Sequence, residues 1–229
     1  MTIPDRVIDV GEARIVAAPR RSALSPRVRP IWATMAKRAI DLIGATTGLL
    51  LLSPVFLLVG ILVKLQDGGP IFYRRRVMGA HGAFDAFKFR SMHPDADARL
   101  RSDPGLRKEF QRNFKLINDH RVTHLGTVLR KYSLDELPQL VNVLRGDMSL
   151  VGPRMITSQE LEKYGEHQDL LLTVKPGLTG FWQVNGRQDI EYSQRVKMDI
   201  YYICHWSLAL DILILLKTPW TVVKATGAR

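Results

Sequence analysis

Two adjacent carboxylates, Asp135 and Glu136, stand in the stretch RKYSLDELPQLVNVLRGDMSLVGPR (130–154), among the cations Arg130, Lys131, Arg145 and Arg154. Side chains of neighbouring residues on a helix diverge by about 100°. The two acids therefore cannot face each other across a sugar ring, and glycoside hydrolysis is a poor fit. They can divide labour, one as nucleophile or metal ligand and the other as base or orienting group. Magnesium takes one or two carboxylates and fills its shell from substrate phosphates, so phosphate chemistry suits this pair. A plain structural reading competes with it. Ser133-Leu134-Asp135-Glu136 has the S-x-x-E form of a capping box, in which the acids only begin a helix. Pro138 disturbs that register, whereas a slightly later start would place it in the first turn, where proline is tolerated. Either way the pair is expected at a helix N-terminus, a good place for phosphate oxygens.

Three neighbouring segments supply candidate binding groups. Gly152-Pro153-Arg154 makes a turn that carries a guanidinium suited to a phosphate fork. KPGLTGFWQVNGR (175–187) is a glycine-rich loop with Lys175 and Arg187 at its ends and Trp182 and Gln183 inside. Amides freed by glycines beside a flat ring suit a nucleoside diphosphate, although most glycine-rich turns are only turns. GAFDAFKFRSM (82–92) places Phe84, Phe87 and Phe89 beside Lys88 and Arg90, a short strand ending on charge. It follows a turn at Asp67-Gly68-Gly69-Pro70 and the run Arg74-Arg75-Arg76, cations that either grip phosphates or lie on lipid. His81, His93, His120 and His124 lack metal-ligand spacing, so a histidine-built metal centre is not expected. Between His93 and His120 the chain reads as exposed helices interrupted at Asp103-Pro104-Gly105.

The elements that position these groups are shaped by charge and by one apolar run. Lys and Arg outnumber Asp and Glu by 33 to 22 in 229 residues, a net charge of +11. Such an excess implies a polyanionic partner: nucleic acid, anionic lipid or phosphorylated substrate. The single cysteine, Cys204, excludes an intramolecular disulfide and a cysteine-based zinc cluster, as a reducing compartment would have it. Residues 39–63, AIDLIGATTGLLLLSPVFLLVGILV, are about as long as a bilayer-spanning helix needs. Ser53 and Pro54 break them near the middle, and cations flank both ends, Lys37 and Arg38 before, Lys64 and Arg74–Arg76 after. The positive-inside rule then wants both ends in the cytoplasm. A helix that enters the membrane, breaks at Ser53-Pro54 and returns to the same face satisfies all of this, with the Ser53 hydroxyl taking up freed backbone bonding. A kinked transmembrane helix is the alternative. Asp41 would sit at head-group level. Nucleic acid is favoured by net charge alone and gives no reason for a proline-broken apolar run, so it is set aside.

This divides the chain into a flexible basic tail (1–30), a re-entrant hairpin (31–66) and a cytoplasm-facing domain (67–229). Residues 201–223, YYICHWSLALDILILLKTPWTVV, are interrupted by Asp211, Lys217 and Pro219 and read as helices lying in the membrane interface, the alternative being a helix packed on the domain.

Lys37-Arg38 with Asp41, the Ser53-Pro54 break, GGPIFYRRR, KFRSM, LRKYSLDELPQLVNVLRGDMSLVGPR and KPGLTGFWQVNGR, in this order from about residue 33 onward, resemble the bacterial sugar transferase family. Its members are monotopic polyprenyl-phosphate sugar-1-phosphate transferases, and the likeness is to the small, exopolysaccharide-initiating type. The resemblance implies an α/β fold, a small sheet surrounded by helices, with the re-entrant helix-break-helix and interfacial amphipathic helices of a monotopic membrane protein at the cytoplasmic face of the bacterial inner membrane. It implies Asp135 as nucleophile toward a UDP-sugar, Glu136 as its partner, and magnesium on Asp135 beside the diphosphate. Polyprenyl (undecaprenyl) phosphate would be the acceptor, and UMP the leaving group. Lys88, Arg130, Pro153, Arg154 and Asp199 match family active-site positions. Arg90, Arg145, Lys175, Gln183 and Arg187 complete the substrate-binding set expected here. Met155 departs from the family's Pro-Arg-Pro turn, which puts the turn's rigidity in doubt. The sugar, the prenyl length and the oligomeric state, including a homodimer, stay open. The competing class is a basic membrane-anchored scaffold that binds lipid without catalysis.

Overall fold

A computed structural model describes residues 7–10, 13–16, 29–114, 116, 119–185 and 190–224. In chain order its elements are β1 (Val7–Val10), β2 (Ala13–Val16), α1 (Ile31–Leu51), α2 (Ser53–Asp67), β3 (Phe72–Gly79) and β4 (Gly82–Phe89). Then come α3 (Ala96–Ser102), α4 (Pro104–Asn113), α5 (His124–Lys131), α6 (Gln139–Arg145), β5 (Ser149–Val151) and α7 (Ser158–Leu161). The chain ends with α8 (Gln168–Leu171), β6 (Gly177–Thr179), α9 (Phe181–Asn185), α10 (Tyr192–Cys204) and α11 (Leu208–Lys224). The fold is mixed α/β and mostly helical.

The proline-broken apolar run becomes α1 and α2, bent by 61° at their junction. Pro54 stands in the first turn of α2, where its missing N–H costs no helical bond. The Ser53 hydroxyl donates to the Leu50 carbonyl at 2.8 Å, the back-bonding expected at such a break. Among the described residues no single helix is long and apolar enough to cross a membrane, whereas the bent pair together is. The first half of α1 is fastened to the rest of the protein by polar hooks. Lys37 donates to the Val151 carbonyl and pairs with Asp211 at 2.7 Å. Arg38 caps the end of α6 through the Val143 and Leu144 carbonyls, at 2.7 and 2.9 Å. Asp41, expected at head-group level, is instead buried and accepts from the Ser149 hydroxyl and the Leu150 amide, both at 2.9 Å. A carboxylate with two internal donors has no need of water.

The expected small sheet is three separate two-stranded pieces among the described residues. β1 and β2 form an antiparallel hairpin, Val7↔Val16 to Val10↔Ala13, inside the stretch read as an unstructured tail. β3 and β4 pair antiparallel from Phe72↔Phe89 to Gly79↔Gly82. Asn142 occupies the outer edge of β4, accepting from the Phe87 amide at 3.0 Å and donating to the Asp85 carbonyl at 2.9 Å. β5 and β6 pair in parallel, Ser149↔Gly177 and Val151↔Thr179. Gly177 permits this approach, since a Cβ there would lie 2.1 Å from the Gly152 nitrogen.

The main core gathers Val143, Met148, Val151, Ile200, Tyr202 and Ile203 between α6, β5 and α10. This corrects the reading of residues 201–223. Tyr202 and Ile203 belong to a buried core helix, and only α11, which runs on through Pro219, carries an outward apolar face of Leu213, Leu216, Trp220 and Val223. On its inner side Asp211 is buried, taking Lys37, the Tyr202 hydroxyl at 2.7 Å and the Trp206 indole N–H at 3.0 Å. The break between α3 and α4 falls at Asp103, whose carboxylate caps α4 by accepting from the Leu106 amide at 2.9 Å.

Candidate active site

Asp135 and Glu136 lie on a single 3-10 turn, Leu134–Glu136, ahead of α6. The capping box does not form: Ser133 has φ 55° and its side chain caps nothing, while α6 starts only at Gln139 with Pro138 before it. Left-handed backbone at a non-glycine residue costs roughly 1–2 kcal/mol, and such strain gathers at functional sites. The acids therefore do not serve as the first turn of a long helix. They form a short projection between α5 and β4.

Position in the fold then separates their chemistry. Asp135 is 6% exposed. Burial pushes its carboxyl above the ordinary range; Lys88 pulls against this, and the neighbouring Glu136 charge adds to it. Burial acts in the same direction on Glu136, but contact with Lys88, and more distantly Arg154 and Arg75, outweighs it and holds Glu136 low. The Lys88 ammonium donates to the Glu136 carboxylate at 2.5 Å. At neutral pH Glu136 is thus the firmly ionised member, and Asp135 the more basic. Environments that push two adjacent acids apart mark a division of roles.

The cations arrive from three directions. Lys88 comes from β4. Arg130 sits in the last turn of α5, its Nε donating to the Ser91 hydroxyl at 2.9 Å. Gly126 makes this possible, because a Cβ there would meet the Ser91 carbonyl oxygen at 1.9 Å. Burial disfavours the Arg130 cation and Asp135 offsets that cost. Arg154 follows β5, its guanidinium 5.7 Å from the Trp182 ring centroid. Its turn is rigid without a second proline: the Gly152 amide donates to Thr179 at 3.0 Å, the Gly177 amide to Pro153 at 2.8 Å, and Met155 is buried in the core. Asp199, from α10, is fully buried behind Arg154 and accepts the Tyr164 hydroxyl at 2.8 Å. Burial raises it to about 7, against the opposing Tyr164 bond and Arg154 charge.

Other expected binding residues do not converge on the acids. Arg90 is buried and spent on the end of α2, pairing through both terminal nitrogens with Asp67 and donating to the Pro70 carbonyl at 2.7 Å. Its job is to hold the end of α2. Arg145 lies over Phe87, 4.9 Å from the ring centroid, and Phe87 and Lys88 point to opposite faces of β4. Lys175 sits beside Gly146 and Arg38, where burial and the Arg38 charge lower its pKa. Gln183 donates to the Leu178 carbonyl at 3.3 Å, while its buried Oε1 has no hydrogen-bond partner among the described residues. Arg187 lies outside the described residues. Glu160 and Tyr192 escaped the sequence reading, and Arg75 was read only as one of a run of three cations. Arg75 pairs with buried Glu160 at 2.8 Å, and the Tyr192 hydroxyl approaches Glu160 at 3.5 Å. The T-x-x-E spacing of Thr157 and Glu160 was the available signal, and Thr157 does cap the Glu160 amide at 3.3 Å.

Among the described residues no group of three His, Cys, Asp or Glu side chains gathers to hold a metal ion. One or two carboxylates at Asp135 and Glu136 fit magnesium only in the form that ion adopts beside substrate phosphates.

A family model described as bacterial sugar transferase matches residues 32–225. The exopolysaccharide production protein ExoY of Rhizobium meliloti is 46% identical over 221 residues, 91% of this chain and 97% of that protein. The undecaprenyl-phosphate galactose phosphotransferase of Salmonella typhimurium is 46% identical over 197 residues, covering 84% of this chain and 41% of the longer protein. A UDP-N-acetylgalactosamine-undecaprenyl-phosphate N-acetylgalactosaminephosphotransferase of Aeromonas hydrophila is 36% identical over 207 residues, 87% of this chain and 46% of that protein.

Proposed function

Because the chain belongs to the bacterial sugar transferase family, we propose that it moves a sugar 1-phosphate, a hexose 1-phosphate, from a UDP-sugar to polyprenyl (undecaprenyl) phosphate, as the first membrane step of exopolysaccharide or other glycoconjugate assembly. The observation that carries this reading is the acid pair itself: a buried, more basic Asp135 beside a Glu136 pinned by Lys88, with Arg130 and Arg154 around them. In the first half-reaction an Asp135 oxygen forms a bond to the β-phosphorus, the bond to the bridging oxygen breaks, and UMP leaves with that oxygen. In the second, a polyprenyl phosphate oxygen attacks the same phosphorus and the aspartyl bond breaks, which frees Asp135. Splitting one transfer into two easier ones is ordinary covalent catalysis. Lys88 keeps Glu136 ionised, and Arg130 and Arg154 offer fixed positive charge to the transferred group. Asp135, aided by Glu136, would hold magnesium, which when bound neutralises the diphosphate.

The membrane is the natural place for such a reaction, since one substrate is soluble and the other is a lipid. The α1–α2 pair supports a re-entrant, monotopic placement at the cytoplasmic face. One end of it is hooked to the domain by Lys37, Arg38 and Asp41, and the other by Asp67 through Arg90. Both ends thus meet the same folded body, while Leu50, Leu51, Leu57, Leu58 and Leu65 are exposed along the pair and Leu216 and Trp220 on α11. Cysteines at Thr34 and Gln66 should label from the same side; labelling from opposite sides would sink re-entry.

The decisive assay incubates the enzyme in detergent with a panel of UDP-sugars and polyprenyl phosphate and measures UMP. A labelled sugar phosphate should be trapped on the wild type and not on Asp135→Asn, which should still bind membrane. The relatives' names include both galactose and N-acetylgalactosamine donors, so the panel also selects the sugar. A non-catalytic scaffold predicts no UMP release and no effect of Asp135→Asn.

A further inference from the structure

The β3–β4 register carries an inference that rests on the transferase reading. Tyr73 stands opposite Lys88, and Arg75 opposite Ala86. Residues directly opposite, and those two further along, share a face of the hairpin. Arg75 is therefore the diagonal neighbour of Lys88, at a typical separation of about 7–8 Å, on the face that looks toward the acid pair. Its charge reaches Glu136 and Arg130, the groups to either side of Asp135.

What holds Arg75 there is unusual for a hairpin side chain. Glu160 is 2% exposed, its amide capped by Thr157 and its second oxygen approached by Tyr192. A carboxylate this deep needs a cation, and Arg75 supplies it through one nitrogen, Nη2, at 2.8 Å. The Arg75 side chain keeps 27% of its surface exposed. Among the described residues no partner is found for its Nε or Nη1. A guanidinium pinned at one nitrogen and open along its other edge is preorganised to grip two oxygens of a phosphoryl group.

We propose that Arg75, held in place by buried Glu160, binds the phosphoryl group that passes to and from Asp135, with Glu160 as its positioning residue. Because that group is common to both half-reactions, Arg75 serves both. A cation that served only the departing nucleotide would matter in the first alone.

Single-turnover kinetics separate the two. Enzyme and UDP-sugar are mixed without lipid acceptor and the rate of the UMP burst is measured; polyprenyl phosphate is then added and the rate of lipid product formation followed. Both rates are taken per site titrated by trapped sugar phosphate, so a loss of folded protein does not enter them. Arg75→Gln should slow both half-reactions by about 10²–10³-fold, as for other fixed donors to developing charge. Arg75→Lys, which keeps the ion pair and loses the fork, should be slower by roughly tenfold. Glu160→Gln should slow both steps in the same direction as Arg75→Lys, and Arg99→Gln, an exposed arginine paired with Asp95, should leave both rates alone. Burst and chase rates in Arg75→Gln within twofold of wild type would overturn the proposal. So would a slowed burst with a wild-type chase, which would move Arg75 to the leaving nucleotide. If Arg75→Gln does not fold, Arg75→Lys decides, and wild-type rates there overturn the proposal. A wild type that gives no UMP burst with any UDP-sugar overturns the transferase reading, and this inference with it.

Discussion

Replacing Asp199 by asparagine should make the protein more stable at neutral pH and leave its stability at acid pH nearly unchanged. Asp199 is fully buried in α10; its Oδ2 accepts from the Tyr164 hydroxyl, the Arg154 backbone amide also favours its ionised form, and among the described residues its Oδ1 meets no hydrogen-bond donor at bonding distance. Burial raises its pKa from 3.8 to about 7. The sign follows from which state ionises first. Below pH 3.8 the carboxyl is protonated in both the folded and the unfolded chain and costs nothing. As pH rises toward 7 the unfolded chain ionises freely and the folded one resists, so stability is lost at about 1.4 kcal/mol per unit across this window. About 3 units give a loss of up to about 4 kcal/mol by pH 7, flat above it. An asparagine at this position mimics the protonated acid and has no such slope. For a chain of this size the gain at pH 8 corresponds to on the order of 8–16 °C in melting temperature. Thermal unfolding of both proteins in detergent, followed by tryptophan fluorescence from pH 4 to 8.5, isolates the effect, because every other titrating group cancels in the difference between them. Tyr164→Phe, which removes the hydroxyl bond that lowers the Asp199 pKa, should extend the wild-type loss to higher pH. A melting-temperature difference between Asp199→Asn and wild type that is constant across the range would refute the reasoning.

Three other outcomes follow from the same geometry. Lys88→Met removes the charge that lowers both Asp135 and Glu136, so the acid limb of kcat/KM should move to higher pH and activity at pH 6 should fall more than at pH 8; a parallel drop at all pH values would show that Lys88 acts on substrate alone. Asp41→Ala leaves the Leu150 amide buried without an acceptor and should cost about 3 kcal/mol by denaturant titration, with Asp41→Asn costing clearly less. Leu216→Glu with Trp220→Glu places two charges on the outward face of α11 and should shift the protein from the membrane to the salt-extractable fraction without slowing the burst in detergent.

The acid pair could be picked out from residue type as a candidate for phosphate chemistry, because two neighbouring carboxylates stand there among cations. Their setting could not. Whether Ser133 caps or turns left-handed depends on how α5 packs against the segment after β4, and that contact, set by Gly126 against Ser91, joins residues far apart in sequence. The bend between α1 and α2 was legible because Pro54 acts locally. Asp41 was misplaced because a lone acid near an apolar run looks like a head-group residue until Ser149 and Leu150 are seen to meet it. Arg90 and Arg75 exchange importance for the same reason: the alternation of a strand tells which residues share a face, but not which face meets the acids. Residues 201–223 looked uniform by composition, and only the burial of Tyr202 and Ile203 divides core from surface.

The two halves of the molecule meet through charges that an apolar environment would reject. Lys37 on Asp211, Arg38 on the end of α6, Asp41 on β5 and Arg90 on Asp67 all lie where the α1–α2 pair joins the domain. Hydrophobic contact alone would let the pair slide, since packing along an apolar helix is non-directional. Hydrogen-bonded charges have one geometry, and removing either partner leaves the other buried and unpaired. The depth of the pair relative to the acid turn is therefore fixed to within a hydrogen bond. Under the proposed mechanism a lipid phosphate must come within bonding distance of Asp135, and that requires a fixed depth, because a displacement of about 1 Å at a reacting centre can cost 10²-fold in rate. On this reasoning Asp41→Ala should impair the second half-reaction, in which the lipid reacts, more than the first.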